Sequence, residues 1–300
     1  MSRLTALTDD FSLHLQAEGK SPKTVGTYSQ SITKFVQLLG DKEATEVTRR
    51  DIDRFLVDLR AAGYRDTSVS VWFRGLQQFW RWALEEGETR QNPMESYRQP
   101  KVAQHLVPIV EEWILEQILT ETRGPTFRDK RDYALLMALA DTGARLSEIA
   151  ALRLGDLDLN ARLLTVMGKG RKERRVPFSR KTAASLNAYL NARRRYPTTK
   201  TLPQEDADRL WVAHRGAMTA SGIYQVIRDR SAVTGNQIHP HQLRHSFIHY
   251  NLVAGMTEGD IQHLVGWSSR QMFGVYGAAR QAERAQNHYK TRTIVDRLDV

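Results

Sequence analysis

The stretch RLLTVMGKGRKERRVPFS, residues 162–179, decides the fold class because a helical pattern of apolar residues gives way there to a strand pattern. Leu163, Leu164 and Val166 predict a short strand, and RRVPF predicts a second strand after the basic turn GKGRK. The stretch therefore predicts a β-hairpin. The segment DRLWVA, residues 208–213, is expected to add a third strand at the edge of this hairpin.

The chain before the hairpin has apolar residues at helical spacing. Ser21 and Thr48 are the expected N-caps of two of its helices, and Gly40 and Gly63 are the expected stops. A third segment, DTSVSVWFRGLQQFWRWALEEG, is rich in tryptophan and phenylalanine. Residues 1–90 are thus predicted to form a bundle of about four helices.

A linker is predicted at residues 91–106, where Pro93 and Pro100 interrupt a stretch without apolar periodicity. Residues 107–300 form the predicted second domain, whose expected helices are EEWILEQILTET, RDKRDYALLMALADTG, RLSEIAALRLGDLDL, KTAASLNAYLNARRR, TASGIYQVIRDRSAV, HPHQLRHSFIHY and TEGDIQHLVGW. The fold class is therefore mainly α with a small antiparallel β-sheet.

The composition is that of a globular protein, and its charge suits a polyanionic partner. The net charge is +10, and the first hundred residues carry equal numbers of basic and acidic side chains, so the remaining 200 residues supply the whole excess. The chain has no cysteine, which excludes disulfides and thiolate chemistry. It also lacks an apolar run of membrane-spanning length and the apolar core of a signal peptide.

Arg145, in the segment DTGARLSEIAAL, is expected at the start of a helix, where the macrodipole disfavours a cation. Its guanidinium either forms a salt bridge with Glu148 or Asp156, or holds two oxygens of an anion in its planar fork. This segment alone favours the salt bridge.

Lys169 lies between two glycines at the tip of the predicted hairpin. A solvated basic turn is the commoner case for such a residue. The alternative is a lysine that enters a DNA groove and gives a proton to a leaving oxygen. A P-loop is excluded because its spacing is absent and this turn joins two strands.

The segment HPHQLRHSFIHY places four histidines and an arginine on one predicted helix. His241 and Arg244 share a face, and Leu243 and Phe247 are expected to pack inward from the adjacent face. His241 and His245 also have the spacing of a metal-binding pair. However, the acid of the zinc-binding motif is absent and Arg244 would repel a cation, so no metal site is expected.

Tyr276 lies between Gly274 and Gly277 in the segment GVYGAAR. The flanking glycines indicate unusual or mobile backbone. The tyrosine either packs at a helix end or has a phenol that swings toward a phosphate.

Five segments occur in a fixed order: TGARLSE, GKGRKERRVPF, HPHQLRH, LVGWSS and GVYG. In this order and at these separations the chain resembles the tyrosine recombinase family, which includes phage integrases, Xer-type recombinases and Cre. The resemblance covers essentially the whole chain, and the helical bundle at residues 1–90 resembles the core-binding domain of the family. The second domain then corresponds to the α+β catalytic domain.

The resemblance assigns roles to seven positions: the catalytic Arg145, Lys169, His241, Arg244, Trp267 and Tyr276, and the supporting Glu148. Tyr276 matches the nucleophile and Lys169 the lysine of the hairpin. Trp267 occupies a position where most members have histidine, although Cre resembles this chain there. Its indole can donate a hydrogen bond but takes no part in proton transfer.

The resemblance implies a site-specific recombinase or integrase that cleaves and rejoins DNA through a 3′-phosphotyrosyl intermediate without metal, ATP or another cofactor. The expected partners are double-stranded recombination sites and further copies of the chain, assembled as a tetramer through exchange of the C-terminal tail. A cytoplasmic, nucleoid-associated location is expected. No additional N-terminal arm-binding domain is expected, which favours a simple integrase or an Xer-like enzyme. A type IB topoisomerase and a non-catalytic DNA-binding relative are the alternatives.

Overall fold

The computed structural model describes residues 2–100, 108–168, 172–267 and Tyr289. The chain divides into two compact units, Met1–Gln104 and His105–Val300.

Over its described residues, 2–100, the N-terminal unit is a bundle of four helices: α1 (Leu4–Ala17), α2 (Pro22–Leu39), α3 (Arg49–Ala61) and α4 (Asp66–Glu85). Ser21 caps α2 as predicted, because its hydroxyl accepts the backbone N–H of Thr24. Gly40 follows the last residue of α2 as its C-cap, with a φ of 86° that favours glycine. Buried aromatic rings fill the space between the helices: Phe11, Phe35, Phe55, Phe73, Phe79 and Trp80.

The packing of this unit continues into the stretch that the sequence predicts as a linker. Met94 is buried in the core of the bundle, and the hydroxyl of Tyr97 hydrogen-bonds to the carboxylate of Asp53 on α3. Residues 101–106 of the predicted linker lie outside the described residues.

Seven helices are described in the second unit: α5 (Glu112–Thr122), α6 (Phe127–Thr142), α7 (Leu146–Ala151), α8 (Arg180–Arg193), α9 (Ala220–Ala232), α10 (Pro240–Val253) and α11 (Glu258–Val265). The prediction for RLSEIAALRLGDLDL is wrong in its second half, since α7 ends at Ala151. The backbone beyond α7 pairs with another segment: Leu152 accepts from Leu210, and Leu154 donates to Asp208.

The predicted hairpin is present and belongs to an antiparallel sheet of three strands: β1 (Leu157–Asp158), β2 (Leu163–Met167) and β3 (Glu173–Pro177). In the hairpin, Leu164 pairs with Val176 and Val166 pairs with Arg174 on the inward face. The third strand of this sheet is therefore β1.

The prediction that DRLWVA adds a strand to this sheet is wrong. Two of its residues form β4 (Val212–Ala213), which pairs with β5 (Gly216–Ala217) in a separate two-stranded hairpin. The tight turn is possible because Gly216 has a φ of 123°, which a residue with a side chain rarely adopts. In the part of the chain that is described, no helix is long and apolar enough to span a bilayer.

Candidate active site

Arg145 lies in the turn between α6 and α7, which Gly143 makes possible by adopting a left-handed conformation. The carboxylate of Glu148, at the third position of α7, accepts hydrogen bonds from the backbone N–H and from the side chain of Arg145, both at 2.8 Å. The expected salt bridge is thus present. The Arg145 side chain is still 35% exposed, so its guanidinium remains accessible to a ligand.

Arg244 lies on α10, which begins at Pro240 after His239. Leu243 and Phe247 are buried on the inward face of this helix, as predicted. Arg244 itself is only 6% exposed. Its two terminal nitrogens donate to the carbonyl of Gly143 at 2.6 Å and to the carbonyl of Val265 at 2.7 Å. The guanidinium therefore ties the end of α6 to the end of α11.

The C-terminal end of α11 binds three arginines through three successive carbonyl groups. Leu264 accepts from Arg174 at 2.8 Å and Val265 from Arg244 at 2.7 Å, and Gly266 makes a longer contact of 3.4 Å with Arg145. The last carbonyls of a helix have no partner within it and carry the negative end of the macrodipole. The end of α11 therefore gathers the two arginines of the predicted site.

Arg174 is the one member of this cluster that the sequence interpretation missed. It lies on β3, and its guanidinium donates hydrogen bonds to both carboxylate oxygens of Glu148, at 2.9 and 2.7 Å. Its side chain is only 9% exposed. The available signal was strand alternation, because Arg174 has the same parity as the buried Val176.

Glu148 is ionised in this setting. Burial would raise the pKa of its carboxyl, but hydrogen bonds from Arg174 and from the backbone and side chain of Arg145 outweigh that effect and lower the pKa. Two guanidinium groups, those of Arg145 and Arg174, contact this one carboxylate, and Arg244 adds a third positive charge at the end of α11, so the cluster has an excess of positive charge. Such a cluster suits an anion.

His241 lies on α10 one turn before His245, with 6.4 Å between the two ring centroids. Burial lowers the pKa of His241, and the positive charges of Arg244 and Arg145 lower it further. The imidazole is therefore neutral at pH 7 and able to accept a proton beside the two guanidinium groups.

Of the remaining predicted residues, the structure describes Trp267. The ring centroid of Trp267 lies 5.7 Å from the guanidinium carbon of Arg244, which places the indole at the same cluster. Lys169 and Tyr276 lie outside the described residues. Within the described ranges, no group of three or more His, Asp or Glu side chains is arranged to hold a metal ion.

The structure therefore brings Arg145, Glu148, His241, Arg244 and Trp267 together, although they come from α7, α10 and the end of α11. The two arginines, Arg145 and Arg244, are 99 residues apart in the sequence. The cluster offers what binding and cleavage of a phosphate ester require, namely charge neutralisation and a neutral proton acceptor.

Comparison with protein-family models identifies both units of the chain. The model described as "Phage integrase family" matches residues 110–283. The model described as "Phage integrase, N-terminal SAM-like domain" matches residues 7–88.

Curated relatives align along almost the whole chain. A tyrosine recombinase XerC from Oceanobacillus iheyensis is 32% identical over 286 residues, covering 92% of both proteins. A tyrosine recombinase XerC from Lacticaseibacillus casei is 30% identical over 289 residues, which is 93% of this chain and 96% of the relative. A tyrosine recombinase XerD from Listeria monocytogenes is 29% identical over 278 residues, covering 90% of this chain and 93% of the relative.

Solved structures share the fold at lower identity. The Tn1549 transposon integrase in complex with a circular intermediate DNA has a TM-score of 0.75 at 17% identity, covering 97% of this chain and all of that chain (100%). A lambda integrase tetramer bound to a Holliday junction has a TM-score of 0.70 at 16% identity, covering 90% of this chain and 78% of that one. Since the family models and the curated relatives cover both units, this chain belongs to the phage integrase family of tyrosine recombinases, enzymes that break and rejoin DNA at specific sites.

Proposed function

We propose that Arg145 and Arg244 clamp the two non-bridging oxygens of one DNA phosphate while Tyr276 attacks its phosphorus atom. The single observation that carries this proposal is the convergence of both guanidinium groups on the end of α11, next to a neutral His241. A free phenol has a pKa of about 10, so it needs a base, and His241 is the proton acceptor within this cluster.

The cleavage step conserves the number of phosphate ester bonds. A bond forms between the Tyr276 oxygen and phosphorus, and the bond between phosphorus and the 5′ oxygen breaks. The phenol proton goes to His241, and Lys169 gives a proton to the departing 5′ oxygen. The product is a 3′-phosphotyrosyl link and a free 5′-hydroxyl, and a 5′-hydroxyl from a second duplex reverses the step. No external energy source is required.

The two arginines supply most of the catalytic effect in this proposal. Negative charge accumulates on the non-bridging oxygens in the pentacoordinate transition state, where preorganised cations stabilise it. Removing one such stabilising group typically lowers the rate by about 10² to 10³. Glu148 orients Arg145 through two hydrogen bonds, and Trp267 contributes its indole N–H as an additional donor.

The DNA partner in this proposal is a pair of double-stranded recombination sites, on which four copies of the chain assemble in the nucleoid of the cell. One of the related proteins, lambda integrase, has been solved as a tetramer bound to a Holliday junction. A Holliday junction is the expected product of exchanging one pair of strands between two duplexes. The excess of positive charge in the second unit supports the same partner.

The tail of one copy is proposed to dock on the next copy in this assembly. A cavity of about 320 Å³ in the second unit has a mainly apolar lining that includes Phe178, Leu243, Phe247, Met256 and Leu264. The tail offers matching apolar residues: Ile294, Val295 and Leu298.

The nucleophile is tested by trapping the covalent protein–DNA adduct. The purified protein is incubated with a fragment library of the genome of its source organism and denatured with detergent, and the DNA ends linked to protein are sequenced. We expect adducts at a defined site with the wild-type protein and none with Tyr276→Phe. Tyr289→Phe, which alters an exposed tyrosine of the tail, is the matched control and keeps the adduct.

An adduct that persists in Tyr276→Phe would contradict the assignment of the nucleophile and point to Tyr289 or Tyr250. The absence of any adduct with the wild-type protein would contradict the covalent mechanism itself.

A further inference from the structure

All three guanidinium nitrogens of Arg174 donate hydrogen bonds within the cluster. Its Nη1 and Nη2 donate to the two oxygens of Glu148, and its Nε donates to the carbonyl of Leu264. The residue belongs to β3, Glu148 to α7 and Leu264 to α11, so one side chain joins three elements. Such a planar fork is specific to arginine, since lysine offers one point charge.

Arg174 determines which guanidinium balances the negative charge of Glu148. Its two oxygens each accept one bond from Arg145 and one from Arg174. A buried carboxylate that had only Arg145 as its partner would be balanced by the charge of Arg145 alone. With Arg174 present, Glu148 is balanced by a second guanidinium, and the charge of Arg145 remains available to an external anion.

The close packing around Gly266 is an independent observation on the same residue. A Cβ atom at Gly266 would lie 3.0 Å from Nη1 and 3.1 Å from Nε of Arg174, and 3.1 Å from the carbon between them. The guanidinium is thus pressed against the backbone at the end of α11, which continues to Trp267 and towards Tyr276 in the sequence. Strand β3 itself begins at Glu173, four positions after Lys169 in the sequence.

We propose that Arg174 is a positioning residue for DNA cleavage, which keeps Glu148 from neutralising Arg145 and fastens strand β3 to the end of α11. This inference rests on the proposed function of the cluster. Arg174 touches neither DNA nor the reacting atoms in this role. It acts through Glu148, Arg145 and the backbone of α11.

The test separates DNA binding from cleavage, using a duplex that contains the site mapped with the wild-type protein. Binding is measured at equilibrium, and adduct formation is measured in a single turnover with the DNA fully bound. For Arg174→Met we expect single-turnover cleavage to fall by about 10²-fold, as for a catalytic group displaced by about 1 Å. The affinity for DNA should change by less than about threefold, because the side chain is buried.

Two further variants, an intermediate substitution and a matched control, are compared with Arg174→Met. Arg174→Lys keeps the positive charge but loses the fork, so we expect an intermediate cleavage rate, and it also serves if Arg174→Met fails to fold. Arg175→Met is the matched control, because it removes an equal charge from the exposed residue next in the same strand. Once bound to DNA, Arg175→Met should cleave at nearly the wild-type rate.

A second measurement distinguishes positioning from simple stabilisation of the fold. In a Glu148→Gln background there is no carboxylate charge to balance and only the contact with Leu264 is lost, so Arg174→Met should lower the cleavage rate clearly less than it does with Glu148 present, as expected for two coupled residues. An equal loss in both backgrounds would show a purely structural role and overturn the proposal. Cleavage by Arg174→Met at the rate of Arg175→Met would also overturn it.

Adduct formation by the wild-type protein and by Tyr276→Phe tests the proposed function independently of Arg174. If the wild-type protein forms adducts that Tyr276→Phe abolishes, the function stands whatever Arg174→Met does. If the wild-type protein forms none, the function itself is contradicted.

Discussion

At the scale of single residues, the pKa of His245, one turn after His241 on α10, depends on burial and on neighbouring charges. Burial, with smaller contributions from the charges of His241 and Arg244, lowers the pKa of its imidazole to about 4. In the unfolded chain the same group has a pKa of about 6.5. Between these two values the unfolded state binds a proton that the folded state does not, so the stability of the fold decreases as the pH falls from 6.5 towards 4.

We therefore expect the thermal midpoint of the wild-type protein to fall between pH 6.5 and pH 5, before most carboxylates titrate. His245→Gln should show a smaller fall over the same interval, measured by differential scanning fluorimetry. His263→Gln is a suitable control, because it removes an exposed histidine on α11. An unchanged pH dependence in His245→Gln would contradict the assignment.

Several residues of the site could be predicted from the chain alone, and one could not. His241 and Arg244 are three apart on one helix, so their common face follows from helical geometry. The pairing of Glu148 with Arg145 follows from the spacing of a capping box. Arg174 joins Glu148 across a sequence separation of 26 residues, and only the assembled hairpin brings these two side chains together.

At the scale of elements, the contact between the α6–α7 turn and α10 controls the position of Arg244. Gly143 has a φ of 58°, and a Cβ atom there would lie 2.4 Å from the ring of Phe247. The carbonyl of the same glycine accepts a hydrogen bond from Arg244. A side chain at this position would force α10 away from the turn, and with it the guanidinium.

Gly143→Ala should therefore destabilise the protein by roughly 1–3 kcal/mol, the usual range for overpacking a core, and should also slow single-turnover cleavage. Urea unfolding and adduct formation are the measurements. Gly259→Ala is the control, since a Cβ there would meet only ordinary contacts and the residue lies within α11. That substitution should be neutral or stabilising by up to about 1 kcal/mol. Equal effects of the two substitutions would refute the argument.

The elements were predictable where local signals were strong. Ser21 capped α2, Gly40 ended it, and alternation identified the hairpin, because each of these depends on neighbouring residues. The strand with which residues 208–213 pair could not be predicted from neighbouring residues. Which strand they join is decided by a tight turn at Gly216 and by backbone pairing with Leu152 and Leu154, which are distant in sequence.

At the scale of the whole molecule, the proposed docking of the tail makes assembly separable from catalysis. Deleting residues 291–300 removes Ile294, Val295 and Leu298 but keeps Tyr276. We expect this truncated protein to bind a single site with nearly normal affinity and to form no tetramer on paired sites. Mass photometry of the protein–DNA complexes measures the difference.

A substitution within the cavity provides the reciprocal test. Met256→Lys places a charge among the apolar side chains that are proposed to receive the tail. It should reduce tetramer formation as the deletion does. Normal tetramers with either variant would contradict the docking of the tail in this cavity.

The arrangement in two units followed from the sequence because the patterns change along the chain. Residues 1–90 are helical with balanced charge, and the net charge of +10 resides beyond residue 100. The order of the five motifs indicated the family, and the family models support it over residues 7–88 and 110–283. The DNA sequence that the enzyme recognises did not follow, since contacts to phosphates carry no base information.

The central claim is that Arg145, Arg244 and His241 converge on one DNA phosphate. Its most direct test is a crystal structure of Tyr276→Phe bound to a duplex that contains the mapped cleavage site. We expect hydrogen bonds from both guanidinium groups to the non-bridging oxygens of the scissile phosphate, with the imidazole of His241 next to the phenyl ring that replaces the phenol. A scissile phosphate bound away from these two arginines would contradict it.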